Sequence, residues 1–179
     1  MTLDIKNPAT GQILTSLRVD QPESIKKKYD LLLDGQKAWA KVPLAERIIK
    51  IKAFADLLEA EKERLAEILT SEVGKPLQQS RNEINGAISR INWLSGNALK
   101  YLSDEVMFQD ENITEVIRYE PLGVIANISA WNYPYLVGVN VFIPALLSGN
   151  AVAYKPSEYA SLTGLEIERL LVKAGIPTN

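Results

Sequence analysis

Apolar residues in the first hundred positions recur every three or four residues, the spacing of helices that bury one face. A turn-rich opening at 7–11 and the apolar residues after it predict short strands ahead of these helices. The first helix is predicted to begin at Asp20, because Asp20 and Glu23 stand at the spacing of a capping box. A second helix is predicted over 44–69, and a third carries its apolar stripe over 84–98. The pattern indicates a layer of long amphipathic helices.

Beyond the third helix the apolar period shortens toward two, which is typical of strands. Two strand-like runs at 105–109 and 113–119 flank a polar triplet and predict a β-hairpin. Residues 122–128 then form an almost unbroken apolar run, as in a parallel strand that is covered on both faces. A helical segment, a second short apolar run at 150–154 and a final helix over 161–174 follow it.

This alternation of strand and helix predicts an α/β fold with part of a doubly wound, Rossmann-like parallel sheet. Two parallel strands do not complete such a sheet, because the crossover helices then lack part of their apolar covering. We therefore expect an incomplete sheet, preceded by N-terminal helices and a β-hairpin, and we expect the next strand to begin after Asn179.

Composition limits the chemistry that these residues can perform. Of the 179 residues, 46% are hydrophobic and 23% charged, and 20 basic against 22 acidic side chains form no basic stripe that could bind nucleic acid. The absence of Cys and His excludes thiolate nucleophiles, His-based triads, disulfides and His-ligated metal sites. The apolar stretch at 137–147 is too short to cross a bilayer, and the N-terminal residues lack the apolar core of a signal peptide. We expect a cytoplasmic protein with no metal, membrane or nucleic-acid partner.

A polar turn follows each of the two predicted parallel strands, where ligands of open α/β sheets bind. In the first turn, Asn132 can present its side-chain NH2 group to a developing oxyanion. In the second, Lys155 and Glu158 can hydrogen-bond ribose hydroxyls, although no Gly-x-Gly-x-x-Gly loop follows either strand. A purely structural explanation is also open, in which Trp131 packs, Asn132 completes a turn and Ser157 caps a helix. Spacing alone does not decide between these interpretations.

Six short motifs, in their order and intervals, resemble the N-terminal region of the aldehyde dehydrogenase superfamily. They are Asn-Pro-Ala-Thr-Gly at 7–11, Glu-Val-Gly-Lys-Pro at 72–76, Glu-Pro-Leu-Gly-Val at 120–124, Trp-Asn-Tyr-Pro at 131–134, Pro-Ala-Leu-Leu-Ser-Gly-Asn at 144–150 and Lys-Pro-Ser-Glu at 155–158. The resemblance covers nearly the whole chain. It implies a truncated aldehyde dehydrogenase fold from a family that oxidises aldehydes to carboxylic acids with NAD or NADP, through a thiohemiacetal on a Cys.

The resemblance also implies roles for individual residues. Asn132 matches the oxyanion-stabilising Asn of the family and is the catalytic candidate. The cofactor-binding candidates are Ile128, Trp131, Asn132, Lys155, Pro156, Ser157 and Glu158. Lys155 and Glu158 match the residues that hold the adenosine ribose. A carboxylate at Glu158 accepts from a free 2′-OH but repels a 2′-phosphate, so NAD is favoured over NADP.

The resemblance divides the chain into three parts. Residues 1–103 match the N-terminal helical part of the cofactor-binding domain, 104–120 an oligomerisation-type β-hairpin, and 121–179 the first half of the Rossmann-like NAD-binding sheet. Family members build oligomers with such a hairpin, so we expect a homo-oligomer. The expected small-molecule partner is the aldehyde substrate of the full-length family member.

The departures from the family pattern define the alternatives. The catalytic Cys and general-base Glu of the family lie beyond this sequence, so we expect the 179 residues alone to be inactive. Ala130 replaces the Pro that many relatives carry before the Trp-Asn pair, which loosens the turn without removing Asn132. One alternative is a non-catalytic module that associates through the hairpin. Another is a residual NAD-binding protein, which has only the adenosine-side residues.

Overall fold

A computed structural model describes residues 1–178 of the chain. Within these residues the chain forms six strands and six helices. They are β1 (Thr2–Lys6), β2 (Ile13–Arg18), α1 (Pro22–Trp39), α2 (Leu44–Ala60), α3 (Lys62–Val73), α4 (Leu77–Leu102), β3 (Glu105–Gln109), β4 (Thr114–Ile117), β5 (Val124–Ile128), α5 (Pro134–Leu147), β6 (Ala151–Lys155) and α6 (Ser161–Lys173). None of the described helices combines the length and the hydropathy needed to span a bilayer.

One apolar core joins the helical layer to the helices of the α/β part. α2 packs against α4, α4 packs against α5, and α3 packs against α6. α5 carries no charged side chain, as expected of a helix that is surrounded by protein. Its ring of Phe142 lies edge-on between those of Phe54 and Tyr154, at centroid distances of 6.1 and 5.8 Å. The side chains with no exposed surface at the centre include Ile51, Phe54, Leu58, Leu65, Leu69, Ile84, Ile91 and Tyr135.

The predicted single helix over 44–69 is wrong, because the structure divides it at Glu61. α2 ends at Ala60, and Glu61 leaves the helical conformation with φ −106° and ψ 11° before α3 begins. The apolar stripe continues across the break, so the period alone does not reveal it. On either side of the break, α2 and α3 both pack against α4 and α6.

The N-terminal prediction also needs correction. β1 and β2 pair antiparallel across the turn at 7–11, whereas the sequence indicated strands only after that turn. The N-cap of α1 lies one residue later than predicted, at Gln21 rather than at Asp20. The N–H of Gln21 donates to the hydroxyl of Ser24, which donates to the Asp20 carboxylate. Pro22 accounts for the shift, since a proline is favoured at the first helical position.

The strand predictions for the remainder of the chain are confirmed in their pairing. β3 and β4 form the antiparallel hairpin, and β5 and β6 pair parallel, with Val124 opposite Ala151 at one end and Ile128 opposite Lys155 at the other. The expectation that the first parallel strand is covered on both faces is wrong for these residues. Asn127 is buried, but Ile128 is 79% exposed, so the face of β5 that carries Ile128 is not covered at this end of the strand in the described part of the chain.

Candidate functional site

The two candidate turns leave the same edge of the parallel sheet. Ile128, the last residue of β5, lies opposite Lys155, the last residue of β6. One residue further, the backbone N–H of Ser129 donates to the carbonyl of Lys155 at 3.0 Å. Both strands therefore end at the same level of the sheet, and the turns that follow them lie at its carboxyl edge. This edge is where an open α/β sheet binds ligands.

The second turn holds three of the predicted side chains together. The Oε2 atom of Glu158 lies 3.5 Å from the Lys155 ammonium and accepts a 3.3 Å hydrogen bond from the Ser157 hydroxyl. Ser157 is buried and its hydroxyl also accepts from the N–H of Tyr159 at 3.3 Å. The pKa of the Glu158 carboxyl is lowered by its own backbone N–H and by the nearby Lys155 charge. The turn therefore exposes the Glu158 carboxylate, a charged hydrogen-bond acceptor, beside the Lys155 ammonium, a charged donor.

Pro156 fixes this turn against the helix that follows. Its ring packs on Gly164 in the first turn of α6, and a Cβ atom at Gly164 would lie 2.6 Å from Cγ of Pro156. Glycine is therefore required at that helical position by the close approach of the ring. The contact sets the angle at which the turn leaves β6.

The first turn projects its predicted residues outward. Ile128 is largely exposed, Trp131 is about half exposed, and Asn132 is exposed as well. Within residues 1–178 the side-chain amide of Asn132 makes no hydrogen bond, whereas its backbone carbonyl accepts one from the Lys75 ammonium. No side-chain hydrogen bond in the described part of the chain joins Trp131 or Asn132 to the turn at 155–158. The two turns share an edge without touching through polar side chains.

A buried ion pair lies beneath the first turn. Lys75, just after α3, pairs with Glu83 on α4 and also lies over the Tyr133 ring, 4.3 Å from its centroid. The Oε1 atom of Glu83 accepts the N–H of Tyr135 at 2.8 Å, so it caps the N-terminus of α5. Burial raises the pKa of the Glu83 carboxyl, and Lys75 and the N–H of Tyr135 oppose that rise.

A second buried carboxylate serves the next crossover helix. Glu72, on α3, accepts the N–H groups of Leu162 and Thr163 at 2.6 and 2.9 Å, and the Thr163 hydroxyl at 3.0 Å. Burial raises the pKa of this carboxyl, and the hydrogen bonds from the α6 N-terminus oppose the rise. Each helix that follows a parallel strand is thus capped by a carboxylate from the helical layer.

Sequence reasoning assigned no role to Glu72, Lys75 or Glu83, although it noted the motif at 72–76. The available signal for Glu83 is its place beside Ile84 in the apolar stripe of α4, where an unpaired charge would be costly. Its partners come from segments before and after α4 in the chain, so no local pattern identifies them.

Comparison with known proteins agrees with this architecture. The family model of the aldehyde dehydrogenase family matches residues 1–179. An aldehyde dehydrogenase from Brucella melitensis biovar abortus is 31% identical with a TM-score of 0.92, and the match covers 99% of this chain and 37% of that one.

Two glyceraldehyde-3-phosphate dehydrogenases in complex with NADP are also similar. The enzyme from Bacillus halodurans is 32% identical with a TM-score of 0.91, over 99% of this chain and 38% of that one. The enzyme from Methanocaldococcus jannaschii is 27% identical with a TM-score of 0.88, over 98% and 39%. The chain spans well under half the length of these structures. With a family model matched along its full length, the chain belongs to the aldehyde dehydrogenase family.

Proposed function

We propose that these residues supply the cofactor-binding edge of an enzyme that oxidises an aldehyde to a carboxylic acid with a nicotinamide cofactor. The observation that carries the proposal is the register of β5 with β6, which brings the turns at 129–133 and 155–158 to one sheet edge. Membership of the family supplies the reaction class.

Lys155 and Glu158 fit the ribose of the adenosine half of the cofactor. The carboxylate of Glu158 is charged, exposed and beside the Lys155 ammonium, so the pair offers an acceptor and a donor to vicinal hydroxyls. A bound nicotinamide supplies the hydride acceptor. Pro156 and Ser157 hold this turn in place through the Gly164 contact and the Tyr159 amide.

Asn132 is proposed to act on the aldehyde oxygen. Its side-chain NH2 group, which makes no hydrogen bond within residues 1–178, donates to the oxygen that becomes negative when a nucleophile adds to the carbonyl. Removing one such donor costs about 10²–10³-fold in kcat in enzymes that use an oxyanion site. The nucleophilic Cys and the general-base Glu of the family reaction come from outside these 179 residues, which contain no Cys. We therefore propose that the chain alone has no dehydrogenase turnover.

A chimera tests the oxidation proposal. The 179 residues replace the matched segment of the Brucella enzyme, and NAD(P)H formation from an aldehyde is followed by absorbance. We expect an active chimera, a drop in kcat of about 10²–10³-fold on Asn132→Ala, and no NAD(P)H from the isolated chain. Asn92→Ala, at an exposed asparagine on α4, is the matched control. A chimera that unfolds cooperatively but keeps its kcat after Asn132→Ala contradicts the proposal.

We propose a preference for NAD, and it depends on Glu158. A carboxylate that accepts from a 2′-OH repels a 2′-phosphate. The similar glyceraldehyde-3-phosphate dehydrogenases are in complex with NADP, so the preference for NAD is proposed from Glu158 and not from the fold. In the chimera we expect kcat/KM to be higher with NAD, and Glu158→Gln to move the ratio toward NADP. A ratio unaffected by Glu158→Gln would contradict this preference.

A second candidate function is self-association through the β3–β4 hairpin. The hairpin and its flanks expose a set of large apolar side chains, namely Val106, Met107, Phe108, Ile113, Val116, Ile117 and Tyr119. Light scattering over a concentration series measures the association. We expect an oligomer that Phe108→Glu disperses and that Ile49→Glu, at an exposed apolar position on α2, leaves intact. A monomer at every concentration would rule out association of these residues.

A further inference from the structure

We propose that Lys75 and Glu83 are positioning residues that aim the Asn132 amide, a role that rests on the proposed function of Asn132. The pair forms a hydrogen bond with the backbone at each end of the segment 132–135. Lys75 donates to the carbonyl of Asn132, and Glu83 accepts from the N–H of Tyr135. Both groups belong to one ion pair, so the backbone from 132 to 135 is held by a single buried element.

The turn has few other anchors. Trp131 and Tyr133 are about half exposed, and the side chain of Asn132 is exposed. The ring of Tyr133 rests on the Lys75 ammonium, which adds a cation–π contact to the hydrogen bond. With little packing to hold it, the orientation of the turn depends on these directional contacts.

The pair is buried deeply enough to hold its geometry. The Glu83 side chain has no exposed surface and that of Lys75 keeps 10%. In such surroundings, removing one partner leaves an uncompensated charge, so the two groups stay together. Gly74 precedes Lys75 and ends α3 in the left-handed conformation, with φ of 83°, so Lys75 lies outside the helix.

The comparison with Glu72 separates positioning from simple helix capping. Glu72 caps α6 as Glu83 caps α5, but its hydrogen-bond partners are the α6 residues Leu162 and Thr163, with no lysine among them. A carboxylate alone is therefore sufficient to cap a crossover helix in this fold. At α5 the capping carboxylate has Lys75 beside it, and Lys75 donates to the carbonyl of Asn132.

Nuclear magnetic resonance of the isolated chain tests the inference without relying on catalysis. We expect Lys75→Met to shift the Asn132 carbonyl 13C and side-chain amide resonances, and Lys75→Arg, which keeps the donor, to restore them in part. We expect Glu83→Gln to reduce the hydrogen-exchange protection of the Tyr135 amide by about tenfold or more. Glu72→Gln, the matched control, is expected to reduce protection at Thr163 and to leave the Asn132 resonances in place.

Unchanged Asn132 resonances in a folded Lys75→Met chain would overturn the inference, as would shifts of equal size in Glu72→Gln. If the single variant unfolds, the double variant Lys75→Met with Glu83→Gln removes the unpaired charge and is judged by the same resonances. In the wild-type chain, the absence of a Tyr133 ring-current shift on the Lys75 side chain would also overturn it. An active chimera that is insensitive to Asn132→Ala contradicts the proposed function and leaves the positioning result standing.

Discussion

The carboxylate of Glu72 on α3 accepts hydrogen bonds from both the backbone N–H and the hydroxyl of Thr163 on α6. With the Leu162 amide, it satisfies three donors at the start of a helix whose N-cap, Ala160, has no side-chain acceptor. Side chains of the helical layer therefore accept hydrogen bonds from the free backbone N–H groups at the start of the helices in the α/β part.

Glu72→Gln tests the strength of that connection. The amide keeps the shape of the side chain but replaces one charged acceptor by an NH2 group that faces donors. We expect a loss of about 1–3 kcal/mol in the free energy of unfolding, measured by urea titration. Glu67→Gln, at an exposed position on the same helix, is the control and is expected to change it by less than about 0.5 kcal/mol. Equal midpoints for the two variants would contradict the capping role.

Gly164→Ala tests the contact that orients the second turn. The new Cβ would lie within 2.7 Å of Cγ and Cβ of the Pro156 ring, so the turn or the helix must move. We expect a destabilisation of about 1–3 kcal/mol. Gly96→Ala is the matched control, because a Cβ there meets nothing within 4 Å and the higher helix propensity of alanine should stabilise the chain by up to about 1 kcal/mol.

Pro156→Ala in the Gly164→Ala background should recover part of the lost stability, because it removes Cγ, the ring atom nearest to the new methyl group, and frees the remaining Cβ from the ring. Both stabilities are read from urea unfolding. Strictly additive effects of the two substitutions would show that the ring and the glycine do not interact.

The ion cluster at the α2–α3 junction predicts a specific pH dependence. Hydrogen bonds from Arg169, then from Arg64 and Lys173, lower the pKa of Glu61 from 4.5 to about 2. A carboxyl group with a depressed folded-state pKa contributes stability above pH 4.5, and this contribution is lost as the pH falls toward 2. We expect Glu61→Gln to be less stable than wild type at pH 7, by about 1 kcal/mol for a half-exposed set of pairs.

The difference in the free energy of unfolding between wild type and Glu61→Gln should disappear as the pH falls from 4.5 to about 2, because protonated Glu61 then resembles Gln. Thermal unfolding across this range measures it. The control is Arg169→Met, in whose background the effect of Glu61→Gln should shrink. A gap that stays constant with pH would show that the cluster does not stabilise the fold through the Glu61 charge.

Asn132→Ala is expected to leave stability unchanged within about 0.5 kcal/mol. The Asn132 side chain is exposed and forms no hydrogen bond within residues 1–178, so its removal breaks no hydrogen bond in the described part of the chain. Urea unfolding of the isolated chain measures the effect. A loss above about 1 kcal/mol would assign the side chain a structural role and favour the turn interpretation over the catalytic one.

Much of the architecture could be predicted locally. The β3–β4 hairpin, the β5–β6 pair and the apolar stripe of α4 follow from short periods and turn residues, because neighbours in the chain set them. The break at Glu61 could not be predicted, because its partners Arg169 and Lys173 lie more than a hundred residues away. The cytoplasmic location and the division at residues 103 and 120 stay predictions, because residues 1–178 provide no test of them.

The sequence by itself determined the α/β class, the order of the elements and, through six motifs, the family. It also identified the two polar turns, because each directly follows an apolar run. Only the tertiary structure decided what holds those turns: the Lys75–Glu83 pair beneath Asn132, the Pro156 contact with Gly164, and the two buried carboxylates that cap α5 and α6. Local patterns reflect interactions within a few residues, whereas a buried charge is stabilised by whichever distant groups the fold brings to it.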